Sequence, residues 1–287
     1  VRTIRQPGPA EPERLQWREA GGRRLSLSLQ PGRLLLDAIA EAFAAEGFSS
    51  GVLRLPAGLA LSPFAYVMPA LSTTGEHAAF YSEVFKPRGI TRIEAGALTF
   101  GERGGAPFFH GHALWREPDG RRGGGHILPD QSVLAEAITV EAFGLDGAGF
   151  VAEHDPETNF MLFMPAPREP AAAAHAASRV FVLRLRPNRD LFTALESFCA
   201  ERGIARAAIH GGVGSTIGAR FADGRVSEPF ATEIAITEGR VAPGADGRPV
   251  AEVAIALVDY TGGMAQGALK RGDNPVLMTL ELVLETL

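Results

Sequence analysis

The sequence predicts an α+β protein made of two tandem copies of a mainly antiparallel sheet domain with packed helices. Three observations carry this reading. The first is local. Arg24-Leu25-Ser26-Leu27-Ser28-Leu29 alternates Leu with polar residues, the period-2 pattern of a half-buried strand. A Gln30-Pro31-Gly32 turn follows, then a helix over 34–46 with Leu35, Ile39 and Phe43 on one face, a stop at Gly47 and a strand over 51–55. The second is a repeat. At a shift of 156 residues Leu27 meets Leu183, Leu29 meets Leu185, Pro31 meets Pro187, Leu35 meets Leu191, Gly47 meets Gly203 and Gly58 meets Gly214. The third is that the C-terminal parts repeat at a shift of 142, with Gly120 meeting Gly262, Gly125 meeting Gly267 and Ile138 meeting Leu280. Self-similarity of this kind marks a duplicated unit.

These signals divide the chain into an arm (1–22), a first domain (23–147), a linker (148–177) and a second domain (178–287). The arm holds several prolines and alternates in charge, as a poorly ordered segment or one that wraps a neighbour does. Met164-Pro165-Ala166-Pro167-Arg168-Glu169-Pro170 and the Ala-rich run after it read as the link. The two shifts differ by 14 (156 − 142), so the first copy carries an insertion, roughly Ser62 to Gly89. It holds Phe64, Tyr66, Phe80, Tyr81 and Phe85 beside Glu76, His77 and Glu83. Irregular insertions on small domains tend to serve function.

Composition narrows the class. At 287 residues and 46% hydrophobic, the chain can bury a full core. Its apolar runs are too short for a membrane helix, and Val1-Arg2-Thr3-Ile4-Arg5 lacks the apolar stretch of a secretory signal, so a cytoplasmic protein is expected. The single Cys199 sits in an apolar helical pattern and reads as a small core residue. A net charge of −5 disfavours a dedicated nucleic-acid binder, whose affinity comes largely from neutralising phosphates. The arginines at 2, 5, 14, 18, 23 and 24 are interleaved with Glu11, Glu13 and Glu19, as in a solvated arm. His210-Gly211-Gly212-Val213-Gly214 lacks a P-loop ending and reads as a glycine-rich turn between strands. His154 and His175 fall near the linker and read as exposed.

The chemistry concentrates in Phe108-Phe109-His110-Gly111-His112, a charged turn, and Gly123-Gly124-Gly125-His126. Three of the seven histidines fall within residues 110–126. In a strand, residues two apart share a face, so His110 and His112 stand side by side. The turn over 116–122 reverses the chain, and the glycines let His126 approach from the returning side. Three imidazoles so placed suit zinc with an open fourth position, and other divalent transition metals accept the same donors. The second copy has Glu252, Ala254 and Ala268 at the matching positions. The scaffold therefore does without the histidines, and the second copy reads as structural.

The motif Phe109-His110-Gly111-His112, Asp119-Gly120, Gly124-Gly125-His126, with the strand, turn, helix and strand before it, resembles the plant-and-prokaryote-conserved (PPC) domain family over about 24–147 and 178–287. The resemblance implies an α+β fold with an antiparallel sheet, and trimers. In plants the domain accompanies AT-hook segments, and bacterial members are often labelled as candidate DNA-binding proteins. No Arg-Gly-Arg-Pro hook occurs in this sequence. The fold is also similar to that of acetolactate decarboxylase, which holds zinc through a His-x-His pair and a later His, with a carboxylate and an arginine near the metal.

Three functions follow as expectations. One is a zinc-dependent enzyme acting by lyase or hydrolytic chemistry on a small oxygenated substrate such as a 2-oxo or 2-hydroxy acid. His110, His112 and His126 would hold the metal, Tyr66, His77, Tyr81 or Glu83 would supply a general acid or base, and Arg92 or Arg88 would bind a carboxylate. The alternative is a DNA-binding or regulatory protein with a structural metal, and a third possibility is a ligand-binding module without turnover. The expected partners are a small molecule and, by the resemblance, further copies of the chain; nucleic acid is the partner only under the alternative, and no membrane is expected.

Overall fold

The computed structural model describes residues 2–169 and 178–287, which leaves His175 outside the described residues. In chain order the elements are β1 (Leu15–Leu29), α1 (Leu35–Ala45), β2 (Gly51–Leu55), β3 (Ala60–Leu61), β4 (Tyr66–Val67), β5 (Pro69–Leu71), β6 (Ala79–Tyr81), β7 (Thr91–Arg103), β8 (Ala106–Arg116), β9 (Arg122–Ile127) and β10 (Ile138–Asp146). They continue as β11 (Ala148–Asp155), β12 (Phe160–Pro167), β13 (Ser178–Leu185), α2 (Leu191–Glu201), β14 (Ala207–Arg220), β15 (Val226–Pro243), β16 (Pro249–Asp259), β17 (Met264–Ala268) and β18 (Val276–Thr286). The architecture is mainly β and mostly antiparallel. With two helices among the described residues, α+β describes it only loosely.

One long sheet runs in the order β17-β16-β15-β14-β18-β13-β1-β10-β2-β7-β8-β9-β4. The two halves of the sequence meet at β1, which pairs with β13 over Leu15–Gly22 and with β10 over Gly21–Leu29. The elements on either side of this junction correspond. Both helices have eleven residues and start 156 apart (191 − 35). Gly32 N–H donates to Leu134 O and Asn188 N–H to Val276 O, each at 2.8 Å, and both donors lie at positive φ. His112 pairs with His126, and Ala254 pairs with Ala268 in the same register 142 residues on.

Beyond the junction the sheet folds back so that its halves face each other, each with one helix on its outer surface. The first outer core joins Leu35, Ile39 and Phe43 of α1 to Phe100, Phe109 and Trp115. The second joins Phe192, Leu195 and Phe198 of α2 to Ile234, Ile255 and Leu257. Between the sheet layers the contacts are small residues, such as Ala97 against Val213 and Ala235, or Leu114 against Ala256 and Val258. A Cβ on Gly124 would stand 2.9 Å from Cβ of Val258, so the glycine lets β9 approach the other half.

Three expectations are corrected. Residues 15–22 of the arm are the first half of β1, and the segment before them lies on the second half through Ile4 N–H to Asn188 Oδ1 (2.8 Å) and Gln6 Nε2 to Leu277 O (2.7 Å). Residues 148–167 of the linker are the β11–β12 hairpin, whose inner side buries Phe150, Ala152 and Phe163. The His210–Gly214 run lies within β14, where Gly211 and Gly212 form a bulge rather than a turn. Cys199 is buried in α2, as read.

The turn of the hairpin carries a buried charge cluster. Asp155 reaches Arg184 at 3.1 Å and Arg186 at 2.7 Å, with Asp155 and Arg184 fully buried. Burial acts against the Asp155 charge, but Arg184, Thr158 and Arg186 together outweigh it and hold the carboxyl below its ordinary 3.8. Removing one partner leaves an uncompensated buried charge. Asp155→Ala is expected to lose about 3–5 kcal/mol in urea unfolding. Because the carboxyl is depressed, its contribution is present above pH 4 or so and fades as pH falls below the ordinary value.

Candidate metal centre

Strand parity places the histidines. On β8 the residues Phe109, Ala113 and Trp115 face the α1 core, so His110, His112 and Leu114 face the opposite half. The β8–β9 register sets His126 directly across from His112 on that face. The three ligand nitrogens all lie within 4.8 Å of one another. His110 Nε2 is 3.1 Å from His112 Nε2, and His112 Nε2 is 3.3 Å from His126 Nδ1. Two nitrogens bound to one tetrahedral ion at about 2.05 Å stand about 3.3 Å apart. The spacing therefore fits a shared divalent ion.

Protonation points the same way. A carbonyl can only accept, so His112 Nδ1 donates its proton to Ile234 O at 3.1 Å and leaves Nε2 a bare lone pair. His110 Nδ1 lies 2.7 Å from Glu281 Oε2 and, donating to that carboxylate, presents a bare Nε2 as well. Two lone pairs facing each other at 3.1 Å repel unless a cation lies between them. A proton is a poor substitute. Burial first, then the neighbouring His110 and His126, push the His112 pKa well below 6.5. Burial and His110 push His126 down to about 3.

The second half thus supplies part of the site, which corrects its reading as purely structural. Besides Glu281 of β18 and the Ile234 carbonyl of β15, it contributes Glu233 of β15. One Glu233 oxygen is 3.7 Å from His112 Nε2, and the other is buried without a hydrogen-bond partner. Burial raises the Glu233 pKa well above 4.5. Neither glutamate is singled out by the histidine motif. The signal for both is a lone Glu inside an apolar strand, as in Leu280-Glu281-Leu282 and Thr232-Glu233-Ile234.

Of the residues expected to assist, the structure brings one against the triad. Tyr81 of β6 sets its ring edge-on to His126, with centroids 5.3 Å apart. Its phenol is pushed above its ordinary value by burial, then by Glu233 and Glu281. His77 lies further out, its Nε2 at 3.1 Å from Asn159 O and its ring against Phe80 and Phe160. Tyr66 is turned the other way. It is buried with Phe64 and Trp115, with its hydroxyl 3.2 Å from Glu117, and burial plus that carboxylate raise its pKa to about 12. Glu83 and Arg88 are exposed, and Arg92 is bound to Glu136 (2.6 Å) on the outer surface. His154 is exposed, as read, and bonds Asn159 Oδ1.

A chamber of 60 Å³ adjoins His110 and His112, lined also by Tyr81, Glu233, Thr279 and Phe160. A groove of 760 Å³ shares Tyr81, His110 and Phe160 with it and runs out past Phe80, Phe108, Met161 and Arg103. The insertion and the β11–β12 hairpin supply much of both walls.

The model of the Plants and Prokaryotes Conserved (PCC) domain matches residues 172–287, the half without the histidine triad. A plant- and prokaryote-conserved (PPC) protein from Pyrococcus horikoshii is similar over 53% of this chain and 97% of its own, with 16% identity and a TM-score of 0.41. A metal-containing protein from Archaeoglobus fulgidus is similar over 50% of this chain and 94% of its own, with 22% identity and a TM-score of 0.40. A candidate DNA-binding protein from Ralstonia eutropha covers 50% and 90%, with 13% identity and a TM-score of 0.37. No curated protein matches the chain. No helix among the described residues is long and apolar enough to cross a membrane.

The depressed histidines make an acid-sensitive fold. The unfolded chain takes up protons near pH 6.5 that folded His112 and His126 refuse, so stability is full above that pH and falls below it. In chelator-treated protein His126, pushed down to about 3, adds about 1.4 kcal/mol per pH unit between roughly pH 6 and 4, and His112 acts in the same direction. His126→Gln should lower the slope of unfolding free energy against pH by about that amount. An unchanged slope would show that His126 is not held neutral.

Proposed function

We propose that this chain is a metal-dependent protein of the PPC type, with zinc held by His110, His112 and His126, acting on a small oxygenated substrate such as a 2-oxo or 2-hydroxy acid. The observation that carries the reading is the pair of bare Nε2 atoms 3.1 Å apart, with the His126 nitrogen 3.3 Å from one of them. The ion, when bound, would supply Lewis-acid polarisation of a substrate oxygen. Glu233 does the complementary work. In the metal-free site burial raises its pKa well above the ordinary value; beside a bound cation the carboxyl would be drawn back toward its ionised form and could take a proton from a substrate hydroxyl and return it. Tyr81, pushed up by burial and the two glutamates, keeps its proton and can donate a hydrogen bond. The 60 Å³ chamber limits the reacting end of the substrate to a few heavy atoms, and Phe80, Phe108 and Met161 along the groove suit an apolar remainder.

We further propose that the two halves arose by tandem duplication. The support is the matched helix starts, the paired backbone bonds at Gly32 and Asn188, and the common register of 112/126 and 254/268.

Elemental analysis after zinc equilibration and desalting tests the central reading. One zinc per chain is expected in the native protein, and much less in His110→Ala and His112→Ala. A metal-free native protein, or full retention in both variants, would refute it. At a free zinc concentration of 100 Kd, binding should add about 2.7 kcal/mol to stability and raise the melting temperature by several degrees. Glu233→Gln should keep the metal and abolish turnover of any 2-oxo or 2-hydroxy acid found active in a screen.

A further inference from the structure

The fit of the triad to a cation depends on which nitrogen of His110 carries the proton. If Nδ1 carries it, Nε2 is free for the metal. In the other tautomer Nε2–H would donate to His112 Nε2, and no ion would be called for. The structure sets this choice some way from the histidines, in a chain of hydrogen bonds with a fixed direction.

The chain begins at Arg184 of β13, whose side chain is fully buried. Arg184 stands directly opposite Glu281 in the β13–β18 register. Its Nε lies 3.1 Å from Thr279 Oγ1, and Thr279 Oγ1 lies 3.3 Å from Glu281 Oε1. Glu281 Oε2 then lies 2.7 Å from His110 Nδ1. A guanidinium has donors and no acceptor. The Thr279 hydroxyl must therefore accept from Arg184, which leaves its single proton for Glu281. Glu281 Oε1 accepts that proton, and the facing guanidinium favours acceptance at Oε2 as well, so His110 Nδ1 is the donor. Asp155 at 3.1 Å and Gln16 Oε1 at 3.0 Å hold the other end of Arg184 in place.

From this geometry we infer that Arg184 and Thr279 are positioning residues that select the Nδ1–H tautomer of His110 and aim its Nε2 at the metal position. The consequence for metal binding rests on the reading above. The tautomer itself does not. The residues come from the half that lacks the triad, so that half sets the protonation pattern of the other half's ligand.

The test uses Thr279→Val, which keeps the shape and removes the hydroxyl, and Thr279→Ser, which restores it. Arg184→Met is the harsher change because it also strips Asp155 of a partner, so the threonine variants decide, each checked for a native melting transition. Long-range ¹⁵N–¹H correlation spectra of chelator-treated protein at pH 7.5 report which His110 nitrogen is protonated. Nδ1–H is expected in the native protein and in Thr279→Ser, with a shift toward Nε2–H in Thr279→Val. Competition against a zinc chelator should show about 10- to 100-fold weaker binding for Thr279→Val, the usual effect of losing a partner behind a metal ligand, and near-native binding for Thr279→Ser. An Nε2–H tautomer in the native protein, or a Thr279→Val protein unchanged in both tautomer and affinity, overturns the inference. Absence of zinc uptake by native protein that shows the Nδ1–H tautomer overturns the metal reading alone.

Discussion

The structure depends on one strand being shared. β1 is fifteen residues long, and no single neighbour uses all of it. Its first half pairs with β13 and its second half with β10. A sheet that continues through such a strand must twist as it goes. Here it folds back until β7 and β8 of one half face β14, β15 and β16 of the other. The two helices are left outside, and the inner surface belongs to neither half alone. A site that needs groups from both halves can form only on that surface.

The residues lining the inner surface explain why the layers approach closely without sealing it off. Ala97, Val213, Ala235, Ala256 and Gly124 fill little space. Larger side chains there would hold the layers apart and move Glu281 and Ile234 O out of reach of the histidines. Burying imidazoles, Glu233, Glu281 and Arg184 in such a layer costs free energy unless each polar atom has a partner. Most have one. The exceptions include one oxygen of Glu233 and Nη2 of Arg184, which has Asp155 at 3.1 Å as a charge partner only. Unpaired buried polar groups are costly, and at the triad the Glu233 oxygen and the histidine Nε2 lone pairs are atoms that a bound cation and its ligand would satisfy.

Elements whose contacts are local were readable from sequence. The period of Leu25, Leu27 and Leu29 and the face of Leu35, Ile39 and Phe43 each describe a burial pattern that the structure shows. The β8–β9 register was readable because a short turn fixes which residues lie opposite. The partners of His110 and His112 were not, because they arise from layer-on-layer packing between residues 171 and 122 positions apart. Tyr66 lies away from the triad for a simple reason of parity. It pairs with Ile127, one position from His126, so it faces the α1 core. Arg92 looked free in the sequence because Glu136, its partner, is 44 residues away. Residues 15–22 and 148–167 were not legible as strands because prolines and mixed charge say little about edge pairing. β1 and β12 gain their order from β13 and β11, not from local propensity.

The near-symmetry of the halves sharpens the question of why chemistry would sit in only one. At the positions matching the three histidines, Glu252 and Ala268 are exposed and Glu252 is tied to Arg240 on the surface (2.7 Å). The histidines, by contrast, lie under two additions. One is the insertion, which brings Tyr81 against His126 and Phe80 over the groove. The other is the β11–β12 hairpin, which brings Phe160 and Leu162 to the chamber wall. Both follow parts of the first half, and nothing comparable covers 252–268 among the described residues. Excluding water is what raises the pKa of a buried carboxyl in the metal-free site and what would make a polarised oxygen feel the full effect of a cation. The triad's half supplies the roof, and the other half supplies the glutamates of the floor. In that division of labour histidines at 252, 254 and 268 would add nothing to the enclosed site, while removing Glu281 or Glu233 would take away groups that touch the triad.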